Sequence, residues 1–234
     1  MYLFYHFNFP ILSRYWLFSY LIVFTVAVCF FILDKQRISD LGLRRTKAWK
    51  RYIIIGFILA AFYNIYWIVV GLPIFSIGPM WHAQYGFFTV PYNFSLALII
   101  GFVEETSFRG YILRNFSKIY SSRRAIIYSS ILFGLYHLSL VYIFISPTSM
   151  LEIIGYWSLF VLAAILIRFF LGLFYIYTEK TIIGVLTYHT ASIFIESLVP
   201  FGLATSVFIG HLLSTSIYII YIPLLIFLKE KRWL

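Results

Sequence analysis

The chain has 234 residues, 62% of them hydrophobic and only 11% charged, with a mean hydropathy of +0.93. A soluble fold covers its surface with roughly 25% charged residues, and a disordered chain needs low hydrophobicity, so both classes are excluded. The formal net charge of +10 reads as membrane topology and not as nucleic-acid binding, because of where the basic residues fall.

Crossing ~30 Å of hydrocarbon takes about 20 apolar residues. In chain order, seven stretches qualify: about 14–33, 52–72, 91–113, 125–145, 153–178, 181–199 and 205–228. Turn signals separate them at Gly71-Leu-Pro73, Gly78-Pro79, Ser146-Pro147 and Pro200-Phe-Gly202. The intervals 34–51, 114–124, 179–180 and 229–234 hold seven, four, one and three of the 18 Lys and Arg. The alternate intervals 73–90, 146–152 and 200–204 hold none. Seven spans put these two sets on opposite sides, which predicts an outside N-terminus and a cytoplasmic C-terminus. The expected fold is an all-α, polytopic integral membrane bundle forming a single membrane domain over 1–234.

No Lys or Arg precedes Arg14 and no small-residue cleavage site follows, so no signal peptide is expected. Residues 34–51 mix Leu41, Leu43 and Trp49 with basic residues. They read equally as a solvated cytoplasmic loop or as a short helix on anionic headgroups. The single cysteine, Cys29, excludes an intrachain disulfide and a thiolate zinc site.

Charges inside hydrocarbon need a partner or a function. The spans contain Glu104, Glu105, Arg109, His137, Arg168, His189, Glu196 and His211. Counting ~1.5 Å per residue from each cytoplasmic end puts Glu104, His137, Arg168 and His189 in one layer, roughly 12–20 Å deep. Glu105 and Arg109 are at i and i+4 and form an ion pair on one helix face. Glu104 is rotated about 100° from that face and has no partner on its own helix. Burial makes its ionised form costly, the condition in which a carboxylate serves as a general base near neutrality. Arg168 is read either as counter-ion to the two glutamates or as a substrate clamp, the first being simpler. Glu196 and His211 are expected to pair with each other across a hairpin near the outer face. His6 and His82 lie outside the spans.

EETSFRG at 104–110 resembles the Glu-Glu-x-x-x-Arg motif of the CPBP (ABI) family of intramembrane proteases, which includes the type II CAAX prenyl endopeptidases. FGLYH at 133–137 is similar to that family's Phe-x-x-x-His. His189 fits the third motif, a His followed four residues later by Asn or Asp, but Ile193 stands at the second position. The resemblance spans about 90–200, the expected catalytic core.

It implies an intramembrane endopeptidase acting on a membrane-embedded or lipidated peptide, with lipid as its other partner. Glu104 would activate a water, His137 would hold that water, and His189 would stabilise the oxyanion; Glu105, Arg109 and Arg168 would support them. With Ile193 in place, Ser192 or Thr190 would substitute for the missing donor only on a rotated helix. If a metal such as zinc takes part, Glu104, His137 and His189 would hold it. No His-Glu-x-x-His is present, and a metal-free glutamate mechanism is favoured. The expected location is the plasma membrane of a prokaryote. Two alternatives stay open: a non-catalytic scaffold or immunity factor, for which Ile193 speaks, and a proton-coupled transporter, against which stands the lack of an inverted repeat.

Overall fold

The computed structural model describes residues 21, 23–75, 89–144, 150–198 and 207–234, and the side chains of most of them. Among these residues every regular element is helical. The elements are α1 (Val23–Leu33), a 3-10 turn (Ile38–Leu41), α2 (Trp49–Phe75), α3 (Thr89–Glu105), a π-helical segment (Thr106–Leu113), α4 (Arg114–Ile119), α5 (Ser122–Phe144), α6 (Met150–Tyr177), α7 (Ile183–Leu198) and α8 (Val207–Glu230). Each of the seven apolar stretches thus carries a helix. Within them, Trp49–Val70 and Ser158–Tyr177 are long and apolar enough to cross a bilayer. His6, His82, residues 14–20 and the turns at 78–79, 146–147 and 200–202 lie outside the described residues, as does the side chain of His211.

Three expectations change. First, α2 does not turn at Gly71-Leu-Pro73 but continues to Phe75. Second, the apolar stretch at 91–113 is not one α-helix, because its last eight residues take i→i+5 bonding. Thr106 gives a local cause: its hydroxyl donates to the carbonyls of Phe102 (2.7 Å) and Val103 (3.2 Å). A hydroxyl bonded back to the preceding turn competes with the α ladder there. Third, residues 34–48 form no surface helix. They fold as a strap around the 3-10 turn, and Trp49 already belongs to α2.

The strap is tied to the π segment, to α4 and to the α6–α7 turn. Tyr111 donates to Asp34 (2.6 Å), Arg114 pairs with Asp40 (2.9 Å), and Gln36 donates to Asn115 (3.0 Å). Ile182 N–H donates to the Gly42 carbonyl (2.9 Å) and the Thr181 hydroxyl to the Arg44 carbonyl (3.0 Å). Gly42 sits at φ 77°, a left-handed conformation in which glycine carries no Cβ penalty. Gly110 serves a different need: a Cβ there would stand 2.5 Å from the Leu41 carbonyl oxygen. Only a residue without a side chain lets the strap lie so close.

Helix α7 packs against α2 and α3, while α6 packs against α5 and α8. The main core is aromatic. Tyr52, Phe170, Phe174, Tyr188, Tyr218 and Tyr221 are buried together. Phe170 meets Tyr188 edge-on at 5.3 Å between centroids, a favoured aromatic geometry. Their hydroxyls are not wasted: Tyr188 and Tyr218 share a hydrogen bond of 3.1 Å, and Tyr221 donates to the Leu59 carbonyl at 2.6 Å. The outer face has the opposite character. Ile54, Ile58, Phe62, Ile65 and Val69 are each more than half exposed along one stripe of α2, while Tyr52, Leu59, Tyr63 and Trp67 are buried. Such a stripe would drive aggregation in water and is at home against acyl chains. The described residues are all-helical in their regular elements and consistent with a helical membrane protein.

Candidate active site

Glu104 and Glu105 lie where α3 passes into the π segment, and four further ionisable side chains, one from that segment and three from other helices, gather there. Arg109 comes from the π segment, His137 from α5, Arg168 from α6 and His189 from α7. All six are between 0% and 8% exposed, which removes them from both lipid and bulk water. At that burial each charge requires a counter-charge.

Glu105 is the hub. It accepts hydrogen bonds from Arg168 Nη1 (2.7 Å) and His189 Nδ1 (2.8 Å), and pairs with Arg109 through Nε (3.2 Å) and Nη1 (3.3 Å). The i,i+4 pair expected from spacing is therefore present. Glu104 is held by Arg168 Nη2 and lies 3.7 Å from His189 Nε2. Arg168 thus spans both carboxylates as their counter-ion. The reading of Glu104 and Glu105 as groups on separate faces needs correcting in one respect. Both carboxylates reach the same guanidinium, because a long side chain from α6 bridges the ~100° between successive residues. With the histidines neutral, two carboxylates and two guanidiniums leave the cluster without net charge.

The hydrogen bonds also fix the two rings. A carboxylate only accepts, so His189 Nδ1 carries a proton toward Glu105, and Nε2 is the nitrogen that faces Glu104. At 3.7 Å from Glu104, it is beyond direct hydrogen-bond range. His137 Nδ1 lies 3.0 Å from the Phe133 carbonyl, which also only accepts, so Nδ1 carries a proton there too. Its ring packs 4.0 Å from the ring of Phe133. The opposite neighbour of that phenyl is Arg168, whose guanidinium carbon lies 3.4 Å from the ring centroid. Phe133 is therefore a platform for the cation, with a cation–π attraction of about 2 kcal/mol when desolvated.

Sequence reasoning gave Phe133 as the first residue of the Phe-x-x-x-His motif, without its contact to Arg168, and it missed Gly101. A Cβ on Gly101 would stand 2.9 Å from Thr190 Oγ1 and 3.3 Å from Leu186 Cδ1. Its absence lets α7 approach α3 closely enough for His189 to reach Glu105. Gly101 lies one helical turn before the glutamates in an apolar helix, and this placement was the available signal. Thr190 lies on the α3 side of α7, its hydroxyl buried. Ile193 is partly exposed and carries no donor. Glu196 is hydrogen-bonded by Tyr63.

Among the described residues no three His, Cys, Asp or Glu side chains are grouped to hold a metal ion. Guanidinium nitrogens sit on Glu104 Oε2 and on both oxygens of Glu105, and His189 Nδ1 is bonded to Glu105.

The comparisons agree with the motifs. The family model described as type II CAAX prenyl endopeptidase Rce1-like matches residues 86–195, just under half of the chain and all of the site. No curated protein and no solved structure matches. Over residues 86–195 this chain is similar to the Rce1-like type II CAAX prenyl endopeptidase family.

Proposed function

We propose that the protein is an intramembrane endopeptidase that hydrolyses a peptide bond with a water activated by Glu104. The observation that carries this reading is the buried carboxylate of Glu104, held 3.7 Å from His189 Nε2. That gap is too long for a direct bond and suits a bridging water. Glu104 takes the proton of that water, and its oxygen attacks the peptide carbonyl carbon. Nε2 of His137 accepts the water's other hydrogen and orients it. As the tetrahedral intermediate collapses, the proton on Glu104 passes to the leaving amine. Glu105 stays ionised, fixes His189 through Nδ1, and with Arg109 holds the helix segment in place. None of these steps needs a metal.

The substrate class follows from family and burial: a lipid-anchored peptide, a prenylated one first, already concentrated in the bilayer. Seven spans, an outside N-terminus and a cytoplasmic C-terminus are the topology we adopt, supported by the segregation of Lys and Arg. The site then opens toward the cytoplasm, within a prokaryotic plasma membrane.

A second reading has one feature in its favour. Ile193 removes a donor, and a scaffold that no longer cleaves would tolerate that loss. Liposome-reconstituted protein and a farnesylated peptide separate the two readings. Wild type is expected to cleave, and Glu104→Gln to lose at least 10²-fold in kcat. Equal cleavage by both would remove Glu104 as base; cleavage by neither would favour the scaffold.

A further inference from the structure

We propose that Arg168 stabilises the tetrahedral oxyanion, exchanging its contact with Glu104 for the negative charge that develops on the substrate. This rests on the hydrolytic reading above and assigns a role that the motifs do not contain.

His189 is the ring that the family resemblance assigns to the oxyanion, yet its geometry here leaves it little to give. Its Nδ1–H is committed to Glu105, and its other nitrogen faces Glu104 at 3.7 Å. Both sides of the ring are thus turned toward the carboxylates. Ile193, one turn on, has no donor. Arg109 is directed at Glu105. Arg168 is the cation that touches Glu104, the group whose charge changes in the reaction.

Its donors are also unequally used. Nη1 and Nη2 are directed at Glu105 and Glu104, whereas Nε is buried with no hydrogen-bond partner among the described residues. A buried guanidinium N–H left unmet is costly unless something occupies it during turnover. The guanidinium cannot swing freely to find a partner. The Phe133 ring backs it at 3.4 Å, and Glu105 holds Nη1 at 2.7 Å. Donors so fixed, in a site closed to bulk water, are the arrangement that stabilises a developing oxyanion best.

The charges balance through the step. Before attack, Glu104 and Glu105 offset Arg109 and Arg168. When water attacks, its O–H bond breaks and the proton goes to Glu104. The new O–C bond forms, and the carbonyl π pair moves onto the substrate oxygen. Glu104 is now neutral, and Arg168 has lost a counter-charge at the moment the oxyanion appears. The cluster keeps zero net charge if Arg168 transfers its pairing to that oxygen. On collapse the C–N bond breaks, the amine takes the proton from Glu104, and the carboxylate recovers Arg168.

The test uses full-length protein in phosphatidylcholine liposomes: wild type, Glu104→Gln, Arg168→Lys and Arg168→Gln. Cleavage of an internally quenched farnesylated peptide is measured. So is binding of that peptide and of its analogue with a phosphonate, a tetrahedral anion, in place of the amide after the farnesyl-cysteine. Arg168→Gln is expected to lower kcat by about 10²–10³ with KM unchanged within about threefold. It should weaken phosphonate binding by a similar factor while parent-peptide binding holds. Arg168→Lys should fall between, keeping the charge and losing the fork. An Arg168→Gln kcat within about threefold of wild type would overturn the proposal. So would equal loss of phosphonate and peptide binding, or a wild type with no preference for the phosphonate. If wild type fails to cleave, or Glu104→Gln cleaves as well, the base assignment fails. The phosphonate-to-peptide affinity ratio still decides on Arg168. Should Arg168→Gln not fold, by gel filtration and melting, Arg168→Lys carries the comparison, with an expected tenfold fall in that ratio.

Discussion

Glu105→Gln tests whether the buried cluster is balanced by charge or merely packed. The substitution keeps the shape and removes one negative charge from a site holding two carboxylates and two guanidiniums. Arg109 and Arg168 then share Glu104 alone, which leaves one unit of positive charge buried. Three partners, Arg168 at 2.7 Å, His189 at 2.8 Å and Arg109 at 3.2 Å, lose the carboxylate charge and are left one amide oxygen to share. The new amide also points two donors at groups that are donors themselves. Removing one member of a buried ion pair costs about 3–5 kcal/mol. Glu105→Gln should cost that much, and Arg109→Gln a similar amount. The double variant Glu105→Gln/Arg109→Gln restores neutrality and should cost less than the sum by about 1–3 kcal/mol. Unfolding in mixed micelles titrated with SDS measures all three. Additive losses, or a single-variant loss below about 0.5 kcal/mol, would refute the argument from charge balance. Glu104→Gln removes the same charge but fewer contacts, since Glu104 is bonded to Arg168 alone, and should destabilise somewhat less while affecting cleavage more.

The other predictions concern the strap and the missing amide. Gly110→Ala places a methyl group against backbone atoms of Leu41 that have no rotamer to escape into. It should cost about 1–3 kcal/mol and raise amide exchange across residues 38–44, read by mass spectrometry. Asp40 accepts the Arg37 backbone N–H (2.9 Å), and this bond, aided by Arg114, holds its carboxyl below the ordinary 3.8. A depressed carboxylate contributes stability that is complete above its unfolded value and is lost as pH falls through the folded one. Strap protection should therefore be flat from about pH 5 to 8 and weaken only in stronger acid. A loss of protection at pH 6 would contradict this. Ile193→Asn should change wild-type cleavage little and recover about tenfold of the activity lost in Arg168→Gln, by supplying a donor one turn from His189.

Much of this architecture can be read from residue order, and the limits have physical causes. Helix positions follow from apolar length, and residues such as Pro73 mislead because a helix near its end absorbs a proline. Counting depth from the cytoplasmic ends brought Glu104, Arg168 and His189 to one layer, where Arg168 holds Glu104 directly and His189 joins them through Glu105. His137 reaches the same layer but joins through the Phe133 ring, a packing relation that spacing does not encode. The sharing of Arg168 was invisible because helical phase describes where side chains start, not how far an arginine from another helix extends. The π segment was equally hidden, since 91–113 reads as one continuous helical run and only the Thr106 hydroxyl marks the change. The strap has no hydrophobic period, and its order comes from single polar ties such as Arg114 to Asp40.

The wide turn at Thr106–Leu113 also sets an angular phase. Each of its backbone bonds encloses one residue more than an α turn holds. Loss of a single residue between 106 and 113 can thus be absorbed by a return to α winding. The same loss in the preceding turn would rotate both carboxylates by about 100° away from Arg168. The spare residue works as a slip joint. It lets the glutamates keep their bearing on the membrane interior while Tyr111 and Arg114, a few positions later, keep theirs on the strap.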